Sequence, residues 1–145
     1  HESERRGFEF VTRKISRAAS LIKLKKQKYL ELGNLEAKRD WGYAPEYIQA
    51  MWLMLQQKKP DDYVVGTGET YSIKYFAENA FNILGLNFNK YLKINKKLFR
   101  PAEVDLLVAD TKKIKNRIGW KAKTKINGLI EKMVINDFNL IKKNL

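Results

Sequence analysis

The chain contains no cysteine and only one histidine, which is residue 1. The lack of cysteine excludes disulfides, thiolate metal sites and a cysteine nucleophile. A single histidine leaves serine–histidine catalysis and histidine-cluster metal sites with almost no residues to use. We therefore expect no metal site. A cysteine-free chain also fits a reducing compartment, and we expect a cytoplasmic protein.

The sequence also lacks a long apolar stretch. A membrane helix needs roughly 18 consecutive apolar residues, and the longest such run here, 50–55, is far shorter. Charged residues occur throughout the first part of the chain, so no signal peptide is visible. We expect no membrane partner. Because the chain opens with histidine and not methionine, we also expect it to be a piece of a longer protein.

Acidic residues are few beside the basic ones. Sixteen Asp and Glu stand against 29 Lys and Arg, which gives 145 residues a net charge of +13. Such a charge attracts polyanions, including nucleic acid, anionic membranes and nucleotides. However, 22 of the basic residues are lysines scattered along the chain, which is typical of a solvated surface. The hydrophobic fraction of 44% is that of a globular domain with a core.

Apolar spacing predicts a mixed α/β piece in which helices alternate with short strands. The predicted helices cover 8–26, 44–57, 73–84, 111–118 and 126–142. The predicted strands cover 29–32, 38–41, 63–65, 91–94 and 105–108. Ser72 suits the N-cap of the third helix and Gly85 its C-terminal stop. So few long strands cannot make a doubly wound sheet on their own.

The first two helices carry the clearest amphipathic patterns. In the first, Arg13 and Arg17 are expected opposite the apolar stripe that begins at Phe8, with Lys14 on its flank. In the second, one apolar face is predicted from Tyr47, Ile48, Met51, Trp52 and Leu55.

Two catalytic or cofactor patterns fail on inspection. Gly66-Thr67-Gly68 follows a predicted strand, but the third glycine of a dinucleotide loop would fall at Tyr71, whose side chain would block close strand–helix packing. None of the seven tyrosines has a lysine four residues later, the spacing that lowers a catalytic tyrosine pKa in short-chain dehydrogenases. The chain therefore has no recognisable catalytic acid–base pair.

The scarce arginines are more informative. Arg39 and Arg100 fall where the chain enters or leaves predicted strands, and an arginine fork can grip phosphate oxygens in two places. The pair could clamp a diphosphate while Glu103 accepts hydrogen bonds from ribose hydroxyls. The alternative is structural ion pairing, of Arg39 with Asp40 or of Arg100 with Glu103.

Several sequence blocks in order resemble the extended short-chain dehydrogenase/reductases, and among them the GDP-mannose 4,6-dehydratase family. Two of these blocks are Ala37-Lys38-Arg39-Asp40-Trp41-Gly42 and Arg100-Pro101-Ala102-Glu103-Val104-Asp105, and the specificity lies in the combination of all the blocks. The other blocks cover the rest of the chain at compatible spacing: 1–3, 5–7, 10–15, 32–35, 46–47, 50–56, 67–70 and 119–121.

The resemblance implies that residues 1–145 are the C-terminal, GDP-sugar-binding portion of such an enzyme. The N-terminal Rossmann domain, which binds NADP and carries the catalytic residues, is absent here. The family oxidises the mannose C4, eliminates water across C5 and C6 and returns the hydride to C6. The resemblance also implies GDP-mannose as substrate, a dimer or tetramer when full length, and no turnover by this chain alone.

Residue by residue, the resemblance places His1 and Arg6 at NADP contacts. It places Val11 and Lys14 beside the GDP-sugar, Arg39 and Arg100 at the diphosphate, and Glu103 at the ribose. The chain departs from the family pattern at Glu4, where proline is usual, and at Tyr43, where histidine is common.

Two other functions stay open at this point. A GDP-sugar epimerase or reductase of the same superfamily would share the arginine clamp, although the 37–41 and 51–55 blocks favour the dehydratase. A basic nucleic-acid-binding module would need cations and aromatics gathered on one face, whereas the aromatics here fall mostly on apolar helical stripes. We expect no nucleic-acid partner.

Overall fold

The computed structural model describes residues 1–99, 102 and 104–144. Its main core is built by three helices that pack against one another, α1 (Val11–Lys23), α3 (Ile73–Ile83) and α6 (Ile126–Lys143). Each has apolar residues at helical spacing, so the three stripes meet in one cluster. Among its fully buried side chains are Ile15, Phe76, Phe81, Ile130 and Met133.

The helix ends follow local sequence signals. The Ser72 hydroxyl accepts a 3.0 Å hydrogen bond from the Tyr75 N–H at the start of α3, and Gly85 has a φ of +67° just after it, which confirms both predicted caps. The α6 bounds and those of α5 (Lys112–Ile118) agree closely with the predicted ranges. By contrast, α1 is shorter than the predicted 8–26, and Phe8 precedes it as an exposed ring.

The strands in the described ranges form two separate two-stranded sheets. In one, β1 (Leu30–Leu32) pairs in parallel with β4 (Leu92–Ile94). In the other, β2 (Lys38–Arg39) runs antiparallel to β3 (Tyr71–Ser72). Strands were predicted at three of these places, but Tyr91 ends the short helix α4 (Phe88–Tyr91) instead of opening β4. A 3₁₀ turn, Lys96–Leu98, follows β4.

Two predicted strands do not form. Residues 63–65 belong to no strand, and Val64 is exposed. Residues 105–108 contribute a single isolated bridge, from Leu106 to Lys38. An apolar run alone does not make a strand, because a strand must exchange backbone hydrogen bonds with a neighbour. The described part of the chain offers no such neighbour to residues 63–65.

Helix α2 (Ala44–Leu55) is confirmed in extent but not in burial. Only Tyr47 and Ala50 are buried, in a smaller cluster with Ile114 and Trp120. The rest of the predicted apolar face is exposed, with exposed fractions of 62% for Ile48, 46% for Met51, 59% for Trp52 and 83% for Leu55. The pattern is therefore amphipathic, but its apolar side faces outward.

Arg13 was predicted on the face of α1 opposite the apolar stripe, but it is not a solvent-exposed side chain. Its side chain is buried and pairs with the fully buried Asp137 of α6 at 2.7 Å. Helical periodicity alone places Arg13 outside the apolar stripe. It cannot reveal a buried carboxylate on a helix that lies far away in sequence.

Candidate functional site

A cavity of about 400 Å³ lies between the N-terminal loop, α1 and the ends of β1 and β2. This volume lies within the usual range of small-molecule sites, roughly 300–1,000 Å³. Charged and apolar side chains share its wall. The lining residues are Glu2, Arg6, Glu9, Phe10, Val11, Lys14, Leu32, Gly33, Asn34, Arg39, Trp41, Ile73 and Leu98.

Four of the predicted site residues share this cavity: Arg6, Val11, Lys14 and Arg39. Val11 and Lys14 are three residues apart on α1, so they lie on the same side of the helix. Arg39 comes from β2 and Arg6 from the loop that precedes α1. Three cations thus converge on one wall that α1 and β2 hold in place.

Arg39 is attached to the backbone at the edge of the cavity. Its Nη1 donates to the carbonyl of Val104 at 2.6 Å and to that of Lys38 at 2.8 Å. The antiparallel pairing of Arg39 with Tyr71 fixes the backbone from which this side chain extends. The guanidinium is therefore anchored before any ligand arrives.

Glu2 is a buried carboxylate at the same site. Its Oε2 accepts a 2.6 Å hydrogen bond from the Thr12 hydroxyl and lies 3.3 Å from Arg6 Nε. The Glu2 backbone donates to Gly42 and accepts from Ala44, which ties the loop to the start of α2. Sequence reasoning missed Glu2, because an acidic residue in a predicted loop looks like a solvated one.

Of the other predicted site residues, His1 does not line the cavity. His1 is exposed and packs its ring at 6.0 Å from that of Tyr47. Arg100 and Glu103 lie outside the described residues.

The apolar floor of the cavity depends on a close backbone approach. A Cβ added to Gly33 would lie 2.7 Å from the carbonyl oxygen of Leu98, so a larger residue would push these two segments apart. Trp41 is buried beside them, and its ring packs edge-on against Phe76 at 5.3 Å. The floor is therefore continuous with the main core.

Asp40 uses its carboxylate to join three segments of the chain. It accepts hydrogen bonds from the Thr67 N–H and hydroxyl at 3.0 and 2.6 Å. It also accepts from the N–H groups of Gly68 at 2.9 Å and Ala109 at 3.2 Å. The N–H groups of Thr67 and Gly68 thus both donate to Asp40. A phosphate would have to displace this carboxylate, which agrees with the rejection of a dinucleotide loop here.

Two of the departures from the family pattern, Glu4 and Tyr43, contact each other. The Tyr43 hydroxyl lies 3.4 Å from Oε1 of Glu4 and 3.5 Å from Oε2, at the long limit for hydrogen bonds. Burial raises the pKa of Tyr43, and the Glu4 charge raises it further because both disfavour the phenolate. The pair ties the loop that carries Arg6 to the residue before α2.

The residues of this chain fit a partial nicotinamide-cofactor contact. Arg6 and His1 offer ring and guanidinium N–H donors for phosphate or ribose oxygens. The described residues have no open glycine turn for a pyrophosphate, since the Gly66–Gly68 turn binds Asp40. Within the described ranges there is also no group of three or more acidic or histidine side chains that could hold a metal ion. No described helix is long and apolar enough to cross a membrane.

Comparison with known proteins matches this arrangement to one family. Residues 1–133 match the model of the family described as GDP-mannose 4,6 dehydratase. Over 143 residues the chain is 51% identical to GDP-mannose 4,6 dehydratase 1 of Arabidopsis thaliana; the match covers 99% of this chain and 40% of that protein. The chain therefore spans less than half the length of this relative.

Solved structures agree on the fold. The structure of RMD from Pseudomonas aeruginosa complexed with NADPH has a TM-score of 0.84 at 18% identity, covering 93% of this chain and 44% of that one. The dTDP-glucose 4,6-dehydratase from Bacillus anthracis in complex with NAD has a TM-score of 0.80 at 14% identity, covering 99% and 43%. This chain thus shares the fold of less than half of each of those two chains.

Proposed function

Because the chain belongs to the GDP-mannose 4,6-dehydratase family, we propose that it is the substrate-binding part of an enzyme that converts GDP-mannose to GDP-4-dehydro-6-deoxy-mannose and water. The observation that carries this proposal is the cavity that gathers Arg6, Val11, Lys14 and Arg39. These are four of the residues that the family pattern assigns to ligands. An epimerase or reductase of the same superfamily is the weaker alternative, because the family match is to the dehydratase.

The charges of the cavity suit a nucleotide diphosphate-sugar. Arg39 and Lys14 provide a fork and a point charge for diphosphate oxygens, while the apolar floor accepts the less polar parts of the ligand. Arg100 and Glu103 stand in the sequence between Leu98, which lines the cavity, and Val104, which accepts from Arg39. This position supports their proposed roles at the diphosphate and the ribose.

The cofactor of the proposed reaction is NADP, which would accept a hydride from the mannose C4 and return it to C6. In this chain His1 and Arg6 would make the contacts to it. The catalytic acid–base residues would come from the preceding nucleotide-binding part, since this chain has no such pair. The cytoplasmic location and the dimer or tetramer stay predictions from the sequence and the resemblance.

An exposed surface supports the proposal that a second part of the enzyme packs here. The exposed apolar face of α2, which we define as Ile48, Met51, Trp52 and Leu55, forms a patch of the kind that marks interfaces. The unpaired apolar segment 63–65 follows α2 in sequence. We propose that the nucleotide-binding part covers this face and supplies a strand partner to residues 63–65.

The test is a calorimetric titration of the complete enzyme with three ligands: GDP-mannose, GDP and guanosine. Arg39→Ala and Arg100→Ala should each weaken GDP-mannose and GDP binding at least tenfold, because each removes a charge-assisted contact worth about 1.5–3 kcal/mol. Guanosine binding should change little, since it has no diphosphate. Lys38→Ala, the exposed neighbour of Arg39, is the matched control. Unchanged GDP affinity in both arginine variants would refute the clamp.

A further inference from the structure

Arg13 of α1 and Asp137 of α6 form a buried ion pair. Arg13 Nε donates to both carboxylate oxygens, at 2.9 and 3.0 Å, and Nη2 lies 2.7 Å from Oδ1. The Ser16 hydroxyl also donates to Asp137 Oδ2 at 2.6 Å. The carboxylate is 0% exposed and the arginine 4%. One edge of the guanidinium is therefore fully committed to α6.

The other edge of the same guanidinium holds the N-terminal loop. Arg13 Nη1 donates to the backbone carbonyl of Arg6 at 3.0 Å and to the backbone carbonyl of Glu4. Within the loop, the Arg6 N–H donates to the Ser3 carbonyl at 3.1 Å. A single planar group thus connects a carboxylate on the last helix with two carbonyls of the loop before the first helix.

The loop held in this way aims Arg6 at the cavity. The Arg6 guanidinium lies 3.4 Å from the centre of the Phe10 ring, and its Nε faces Glu2. Both contacts depend on where the loop backbone places the Cα of Arg6. Because Arg13 fixes the Arg6 carbonyl, it also limits the directions available to the Arg6 side chain.

We propose that Asp137 is a positioning residue for cofactor binding, acting through Arg13 on the loop that carries Arg6. This proposal rests on the proposed function, in which Arg6 contacts NADP. Asp137 orients the guanidinium so that its Nη1 edge faces the loop, and it neutralises a charge that would otherwise be buried alone. Residue 137 lies beyond the part of the chain that the family model matches, which ends at 133.

Arg13→Lys separates this role from simple charge pairing. A lysine ammonium can still neutralise Asp137, but it has no planar fork to reach the carboxylate and two carbonyls together. We expect Arg13→Lys to keep the fold of the complete enzyme while loosening the loop. Asp137→Asn removes the charge, and Glu131→Gln, an exposed acid on the same helix, is the matched control.

The first readout needs no cofactor. Amide hydrogen exchange of segment 3–7 is measured in the complete enzyme without NADP. Arg13→Lys and Asp137→Asn should each speed it about tenfold, because the loop opens more often. Glu131→Gln should leave it unchanged. Wild-type exchange rates in both Arg13→Lys and Asp137→Asn would overturn the proposal.

The second readout is the Kd for NADP, measured in the wild-type and in an Arg6→Ala background. We expect Arg13→Lys and Asp137→Asn to raise the Kd about tenfold in the wild-type and to add nothing once Arg6 is gone. An equal rise in both backgrounds overturns the proposal, because Asp137 would then act by another route. If Arg6→Ala alone leaves the Kd unchanged, the cofactor contact in the proposed function is refuted, and the exchange data alone decide whether the ion pair holds the loop.

Discussion

Arg39 Nη1 lies 2.6 Å from the carbonyl oxygen of Val104. The side chain that is predicted to bind the diphosphate is therefore held by the backbone of a second segment. The same nitrogen donates to the carbonyl of Lys38. Two backbone acceptors on one nitrogen restrict the plane of the guanidinium. The side chain thus offers an oriented fork to the cavity, which a flexible lysine could not.

Replacing Arg39 with lysine should weaken GDP-mannose binding even though the charge is kept. We expect the Kd to rise about tenfold, because a lysine loses both the bidentate grip and the backbone anchoring. Calorimetric titration of the complete enzyme measures this change. Lys38→Arg, made at the exposed neighbouring position, should stay within about twofold of wild type. An unchanged Kd in Arg39→Lys would point to general electrostatics instead of a fork.

Asp40→Asn should destabilise the chain by about 2–3 kcal/mol, because an amide cannot accept all the hydrogen bonds that the carboxylate receives from Thr67, Gly68 and Ala109. The NH₂ group of the asparagine would instead point a donor at these N–H groups. Urea unfolding of the 145-residue chain measures the loss. Asp62→Asn, at an exposed position outside the helices and strands, should change the free energy of unfolding by less than about 0.5 kcal/mol. A comparable loss in both variants would contradict a special role for Asp40.

Local sequence signals correctly predicted features that depend only on neighbouring residues, such as helix caps. Ser72 caps the start of α3 and Gly85 follows its end, as expected. A helix cap depends only on residues within a few positions of the helix end, so local sequence can predict it. The family resemblance, and not a local signal, named the four site residues that share the cavity. The burial of Arg13 was not predicted, because it depends on Asp137, 124 residues away. The same reason hid Glu2, whose partners Thr12 and Arg6 come together only in the fold.

The strand predictions that failed have a related cause. Residues 63–65 have strand-like composition, but pairing needs a neighbour that the described residues do not provide. The apolar face of α2 shows the same effect, since the pattern was right and the predicted burial was not. Sequence patterns indicate which surfaces are apolar and are expected to pack against another element. They do not report whether that partner lies in the same piece of chain.

Two glycines should respond to alanine with opposite signs. Gly119 ends α5 with φ at +74° and has no atom within 4 Å of an added Cβ, so Gly119→Ala should cost about 1 kcal/mol through backbone strain alone. Gly128 lies in the first turn of α6, and an added Cβ there would also meet no atom within 4 Å. Gly128→Ala should therefore raise the free energy of unfolding by about 0.5–1 kcal/mol. Urea unfolding checks both values. Changes of the same sign would contradict this assignment of strain.

Tyr47 should make the chain less stable at alkaline pH. Burial raises its pKa above the ordinary 10.0, and the nearby carboxylates, Asp40 first, raise it further. The folded state therefore favours the protonated phenol. This stabilisation is complete below pH 10.0, the ordinary value, and is lost as the pH rises from there toward the folded-state pKa.

The difference between wild type and Tyr47→Phe isolates this effect. The wild type should lose stability relative to the variant by up to about 1.4 kcal/mol for each pH unit above the ordinary tyrosine pKa. Urea unfolding at a series of alkaline pH values gives both curves, and the lysines that also titrate there are common to both. Parallel curves would show that Tyr47 ionises as easily in the folded chain as in the unfolded one.

Leu55→Lys tests the exposed apolar face of α2 by comparing two forms of the protein. In the 145-residue chain Leu55 is 83% exposed, so the change should alter the free energy of unfolding by less than about 0.5 kcal/mol. In the complete enzyme the lysine would be buried against the nucleotide-binding part, which should weaken the association of the two parts and lower thermal stability. Gln49→Lys, at an exposed polar position of the same helix, should leave both forms unaffected. If Leu55→Lys is equally harmless in the complete enzyme, this face is not the surface that the second part covers.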